Sequence, residues 1–305
     1  MKILYIVLAM LVSSTSFGQI EQNINKTSGT ISNPITQIDS IRFNTTTNQM
    51  EIIRTNGNIE NHDISDIINV TFSGQLQGSP ASCGASNLHN PNLTYGSMTD
   101  QDGNLYKTII IGTQEWMAEN LKASHYGNGD LIPLETDPAT WSSLNTGATC
   151  WYNNDSAAYD CPYGKLYNWY VTADSRNVCP TGWHVPEIGE WYMLSMQLDT
   201  AADTSCVACT HSFIAGGKMK SVGNYFWISP NYNADNSSGF SGLPCGARSY
   251  LNGIFGLIGY NSGWWTSTEL NLGDARLLSL TYNNGNISGG ANPKGNGFSI
   301  RCVRD

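Results

Sequence analysis

Charge is what this chain has least of. Asp, Glu, Lys and Arg make up only 13% of its 305 residues, about half the share of a typical soluble protein. The balance is acidic, at −9, and no basic stripe occurs. A nucleic-acid partner is thereby excluded, because phosphate binding needs clustered Lys and Arg. Beyond residue 18 there is no run of 18 apolar residues, so no transmembrane segment is expected. Signs of catalysis are equally scarce. No G-x-S-x-G elbow is present, and the histidines at 62, 89, 125, 184 and 211 show no metal-ligand spacing. Glu187 and Glu190 read as helix-start charges rather than an acid–base pair, and His184 as a residue held by core hydrogen bonds. Gly, Asn, Ser and Thr take the place of charge, as in loop-rich and strand-rich domains.

The first residues point to export. Lys2 precedes an apolar run over 3–12, and small residues follow to Ser16 and Gly18. This pattern reads as a signal peptide over 1–18. The run is far below the roughly 20 residues that span a bilayer, and no cysteine follows it to take a lipid. The expected location is extracellular, cell-surface or periplasmic. Eight cysteines, at 83, 150, 161, 179, 206, 209, 245 and 302, lie beyond the signal. An even count in an exported chain favours disulfides. Connectivity is open from sequence; the pairing expected is 179–302, 150–161 and 206–209, leaving 83–245. Cys206 and Cys209 also have the spacing of a redox or zinc half-site. They lie in a loop without Lys or Arg, and no second C-x-x-C completes a zinc site.

Residues 19–34 are polar and read as a flexible leader. An echo follows, in which residues 35–43 (ITQIDSIRF) and 64–72 (ISDIINVTF) share apolar positions at offsets 0, 3, 6 and 8. Between them Asn56-Gly57 suits a two-residue hairpin. Residues 35–73 therefore read as a small all-β element of about four short strands, a β-repeat suited to docking or attachment. The Gly/Ser/Pro/Asn-rich stretch 74–93 is the linker, and the main domain covers 94–305.

Within that domain, residues 95–98 and 105–111 flank Asp102-Gly103 as a hairpin, and 116–121 reads as extended. Leu166, Trp169, Tyr170 and Ala173 give a helix over 165–173 by their spacing. A second helix is expected over 186–198, with Pro186 in its first turn and a buried stripe of Ile188, Trp191, Leu194 and Leu198. Everything after Thr200 reads as loops and short strands. The clearest of these are 276–282 and 286–288 about Asn284-Gly285, and a closing strand over 298–303.

Seven segments in order carry a resemblance: TIIIGTQEWMAENL (108–121), CWYNND (150–155), YGKLYNWY (163–170), CPTGWHVPEIGEW (179–191), SSGFSGLPCGAR (237–248), GWWTSTE (263–269) and GFSIRCVRD (297–305). Together they resemble the Fibrobacter succinogenes major paralogous domain family of Fibrobacteres and Bacteroidetes, over residues 95–305. The β-repeat is similar to one that follows the signal peptide in Bacteroidetes surface proteins. The resemblance implies an α+β fold: a C-type-lectin-like domain with two short helices and a loop-rich antiparallel β-sheet, related to formylglycine-generating enzymes. It implies no established activity. Those enzymes hold copper between two cysteines five residues apart, whereas Cys245 and Cys302 are far apart here, so an oxidase is a remote alternative. The family more often has glycine at position 245, which makes an extra bridge from Cys245 to the linker plausible.

Aromatic residues interleaved with Asn, Ser and Gly between 221 and 293 have the chemistry of a recognition surface. The candidate ligand-binding residues are Tyr225, Trp227, Tyr232, Tyr250, Tyr260 and Asn261. Trp264 and Trp265 read as core before ligand site. Arg248 is either a ligand anchor or, with Glu269, part of a buried network. No cofactor is expected. A structural calcium ion is open, because Asn153, Asn154 and Asp155, and residues 231–236 with Asp235, offer hard oxygen donors. The Glu-Pro-Asn, Gln-Pro-Asp and Trp-Asn-Asp motifs of calcium-dependent sugar sites are missing. The expectation is a non-catalytic exported binding module for glycan or surface protein, with a structural surface or matrix component as the other reading.

Overall fold

The computed structural model describes residues 21–26, 29–34, 38–44, 47–54, 56, 58–73, 88–205 and 209–305. The expected signal peptide, most of the expected linker, Cys83 and Cys206 lie outside the described residues. The chain divides into two compact units at Ser79 and Pro80.

The described residues of the first unit form six strands: β1 (Glu21–Lys26), β2 (Gly29–Pro34), β3 (Ile38–Asn44), β4 (Gln49–Arg54), β5 (Ile59–Asp63) and β6 (Ile67–Ser73). The expected flexible leader is thus a β-hairpin. The two echo segments form strands of equal length 29 residues apart, 38 to 67 and 44 to 73. They do not pair with each other. The sheets run β2-β1-β6 and β3-β4-β5, so each repeat, a hairpin plus one strand, lends its third strand to the other repeat's hairpin. The registers repeat as well. Gln22 faces Phe72 and Ile24 faces Val70 in one sheet; Met50 faces Phe43 and Ile52 faces Ile41 in the other. Even the irregularity recurs, between Asn25 and Lys26 and between Ile38 and Ser40. Met50 and Ile52 alternate inward with period two and are fully buried.

The second unit contains β7 (Gly96–Thr99), β8 (Leu105–Ile111), β9 (Gln114–Met117), β10 (Thr149–Cys150), β11 (Leu166–Tyr167), β12 (Trp183–His184), β13 (Thr210–Ser212), β14 (Cys245–Arg248), β15 (Phe255–Ile258), β16 (Asn261–Glu269), β17 (Asp274–Thr281), β18 (Ile287–Pro293) and β19 (Val303–Arg304). Two larger antiparallel sheets run β12-β19-β9-β8-β7 and β13-β18-β17-β16. Hairpins form about Asp102-Gly103, with Gly103 at φ 80, and about Asn284-Gly285, where a longer connection joins β17 to β18. The closing strand is shorter than expected. Phe298 and Ser299 make only isolated bridges, to Tyr167 and Trp264.

Among the described residues, five short helical segments replace the expected two: α1 (Pro138–Ser143), α2 (Ser156–Tyr159), α3 (Trp169–Thr172), α4 (Ile188–Leu198) and α5 (Ala215–Met219). The helix expected over 165–173 shrinks to α3, because Leu166 and Tyr167 pair with Cys150 and Thr149 as strand. The α4 helix starts later than expected, at Ile188, so Pro186 precedes its cap. Glu187 and Glu190 close a capping box, with the Glu187 N–H donating to Glu190 Oε2 at 2.8 Å. Trp191 and Leu194 are buried, each contributing about 1.5–3 kcal/mol by area, and α4 stops where Asp199 turns extended. No helix among the described residues is long and apolar enough to cross a membrane.

Trp264 and Trp265, neighbours on β16, point to opposite faces and are both fully buried. Trp264 packs with Trp191 and Phe240 and donates to Asn120 Oδ1; Trp265 packs on Phe298 and donates to the Tyr167 carbonyl. They are core. Arg248 is also fully buried. Its guanidinium lies over Trp141 and Phe255 and donates to the carbonyls of Gly253, Glu135 and Thr136. It is therefore a structural clamp and not a ligand anchor. Glu269 is no part of that network: it is exposed and pairs with Lys294.

Cys179 and Cys302 form the expected disulfide, joining chain positions 123 residues apart. The other bridges need correction. Cys150 and Cys245 are free, buried thiols, so neither 150–161 nor 83–245 exists. Cys161 and Cys209 are each disulfide-bonded; Cys206, the expected partner of Cys209, lies outside the described residues.

Candidate functional site

The candidate surface is assembled around one buried cation. The α5 helix can run where it does because Gly216 and Gly217 have no side chains. A Cβ on Gly216 would lie 1.9 Å from the Asn286 carbonyl oxygen, and one on Gly217 would lie 2.4 Å from that of Asn233. Directly after α5, Lys220 is fully buried. Its ammonium donates to the backbone carbonyls of Tyr232 (2.9 Å), Thr281 (3.0 Å) and Asn284 (2.8 Å) and lies over the Trp227 ring. None of these partners is a carboxylate, and burial pulls the Lys220 pKa down to about 8. The cation thus joins the 221–234 loop to the end of β17 and its turn.

Further bonds set three loops edge to edge. Asn231, in the left-handed region at φ 43, donates through Nδ2 to the Ser221 and Gly223 carbonyls. The Ile228 N–H reaches the Gly259 carbonyl at 2.9 Å, the Tyr232 N–H that of Tyr282 at 2.8 Å, and the Tyr282 N–H that of Tyr260 at 2.9 Å. The side chains thereby displayed are apolar and exposed: Tyr225 at 78%, Leu257 at 55%, Tyr232 at 52%, Tyr260 at 43% and Ile228 at 40%. Tyr260 meets Tyr282 edge-on. Leu257 has φ 67, a strained conformation for a bulky residue and one that gathers at functional positions. From Tyr225 an aromatic run continues through Phe226, Tyr163, Tyr159 and Tyr152 to Phe255, with neighbouring ring centres 4.8–5.9 Å apart.

Of the candidate residues, Tyr225, Tyr232 and Tyr260 lie exposed on these joined loops, with Asn261 half-buried beside Tyr260 at the start of β16. Two do not join them. Trp227 is buried and donates its indole N–H to the Gly242 carbonyl, so it supports the loop from below. Tyr250 lies at the far end of the β14–β15 hairpin, where its N–H meets Asn296 Oδ1. Sequence reasoning missed Lys220, Ile228 and Leu257 on this surface. For Lys220 there was a signal: it is the last charge before Asp235 in a stretch that is otherwise uncharged.

The residues for other chemistries are engaged elsewhere. Asp155 caps α2 by accepting from the Ala158 N–H, and Asp235 accepts from the Ser237 N–H. Among the described residues no three His, Cys, Asp or Glu side chains gather as a metal cluster. A copper pair does not fit the cysteines: Cys302 is bonded to Cys179, and burial pushes the Cys245 thiol up to about 11. A Ser–His–Glu line does occur. His89 Nδ1 lies 3.2 Å from Ser241 Oγ, and Nε2 lies 3.2 Å from Glu119 Oε1. Ser241 is completely buried, and its hydroxyl also meets Asn236 Nδ2 and the Gly239 carbonyl. It presents no nucleophile; the line ties residue 89 to the core.

The sequence places His184 among core hydrogen bonds. It is instead partly exposed and clamped between Asp305 (2.6 Å) and Glu190 (3.0 Å). It lines a cavity of about 520 Å³ with Asp174, Asn177 and Glu187.

Residues 109–304 match the family model described as Fibrobacter succinogenes major domain, which is well over half of the chain. No curated protein and no solved structure gives a significant match.

Proposed function

The chain belongs to the Fibrobacter succinogenes major domain family, and from that premise we propose that it is an exported, non-catalytic binding module with a C-type-lectin-like second unit. Its ligand is a glycan, taken on the surface built from Tyr225, Tyr232, Tyr260 and Tyr282. The observation that carries this reading is that exposed rings sit on two loops, Tyr225 and Tyr232 on one and Tyr260 on the other, which backbone hydrogen bonds join to each other and to the turn at Tyr282, with Lys220 beneath. Soluble proteins rarely leave contiguous apolar surface uncovered without a use for it. Rigid rings among Asn, Ser and Gly give contact area at little entropic cost. Export is supported by the apolar run at 3–12 and by the Cys179–Cys302 bridge, which persists in oxidising compartments.

The test is a polysaccharide array with the purified chain and its Tyr225→Ala and Tyr232→Ala variants. Retention that both substitutions weaken supports the module. Equal retention of all three proteins refutes the site. Exposed Ile228 and Leu257 favour a surface protein as the second ligand class, and a matrix component would need no ligand at this surface.

A further inference from the structure

We infer that the aromatic surface recognises an uncharged polysaccharide chain, and does so without ion pairs or calcium. The inference rests on the binding-module reading and names its ligand class.

The three segments that build the surface, residues 221–234, 257–262 and 281–286, contain no Asp, Glu, Lys, Arg or His. Proteins that hold uronates, sulfates or phosphates do so with guanidinium or ammonium groups that supply charge-assisted hydrogen bonds. The one cation here, Lys220, is fully buried and directs its ammonium at three backbone carbonyls. Its charge is turned inward, away from any ligand. Asp235 borders the surface, and its carboxylate accepts from the N–H of Ser237 within its own loop. What faces outward is uncharged: the rings of Tyr225, Tyr232 and Tyr260 and the aliphatic Ile228 and Leu257, with exposed Asn224, Asn233 and Asn283 on the same loops. Rings offer apolar faces for the C–H side of a sugar. Amides donate and accept at once, as hydroxyls do. A protein ligand fits less well, because protein interfaces enrich Arg and Met along with aromatics, and these three segments contain neither.

The test is affinity electrophoresis of the purified chain in gels holding one neutral polysaccharide, its carboxymethyl derivative or its sulfated derivative. Each is run at about 20 mM and about 500 mM salt, which brackets weak and strong screening, with and without chelator. The neutral polymer should retain the protein, with affinity changing less than about twofold across salt and chelation. Tyr225→Ala and Tyr232→Ala should weaken it about tenfold, or about 1.4 kcal/mol each. Both side chains are mostly exposed, and thermal melts of the variants check that the fold survives. Tighter, salt-sensitive retention by a charged derivative, lost in the same variants, overturns the neutral ligand and leaves the binding module standing. No retention by any polymer overturns both.

Discussion

The ammonium of Lys220 and the backbone carbonyl of Tyr232 meet at 2.9 Å inside the protein. The side chain of Tyr232 projects outward from the same residue, half exposed. A buried cation thus holds the backbone of a surface ring, and with Thr281 and Asn284 it holds two loops at once. Lys220→Met keeps the volume and removes the donor, leaving three carbonyls without it. An unsatisfied buried acceptor costs about 1–3 kcal/mol, so the variant should lose about 3 kcal/mol in urea denaturation and bind its ligand more weakly.

Lys220 also sets a pH signature. Its folded pKa, pulled down by burial to about 8, lies below that of an unfolded lysine, near 10.4. Between those values the unfolded chain binds the extra proton, so this residue makes stability rise with pH from about 8 to about 10. Lys220→Met should flatten that rise in denaturation curves taken across the range.

His184 works in the opposite direction. Burial lowers its pKa, but the hydrogen bonds with Asp305 and Glu190 together outweigh burial and raise it. Its contribution is complete below the unfolded value of about 6.5 and is lost as pH rises through the higher folded value. His184→Gln should therefore cost more stability at pH 6 than at pH 9. An equal cost at both would mean that the clamp carries no charge.

Two glycines should respond oppositely to alanine. Gly189, in the first turn of α4, has open space where a methyl group would stand, with no atom within 4 Å. Gly189→Ala should therefore stabilise by about 0.5–1 kcal/mol. Gly216→Ala would drive its methyl into the Asn286 carbonyl, at 1.9 Å, and should lower the melting temperature.

Local features were legible in the sequence, and features that depend on distant partners were not. Asp102-Gly103 and Asn284-Gly285 both marked hairpins because turn-forming pairs are local signals, although only Gly103 takes the left-handed φ, at 80. The echo of 35–43 in 64–72 was visible, but the exchange of β3 and β6 between hairpins depends on register and stayed hidden. Leu166 and Trp169 satisfied a helical spacing, yet pairing with Thr149 and Cys150 claimed the first part of that segment as strand. Trp227 and Tyr225 look alike as loop aromatics; only the fold turns one inward and the other out. Cys150 and Cys245 fell to the same difficulty, since spacing along the chain does not reveal which thiols meet.

The central claim is that the loops held by Lys220 contact the ligand. Hydrogen–deuterium exchange of the purified chain, with and without a retained neutral polysaccharide, tests it most directly. The expected result is ligand-dependent protection confined to peptides spanning 222–232, 257–262 and 281–284. Protection centred instead on the His184 cavity, at residues 172–190, or no protection at saturating ligand, would contradict it.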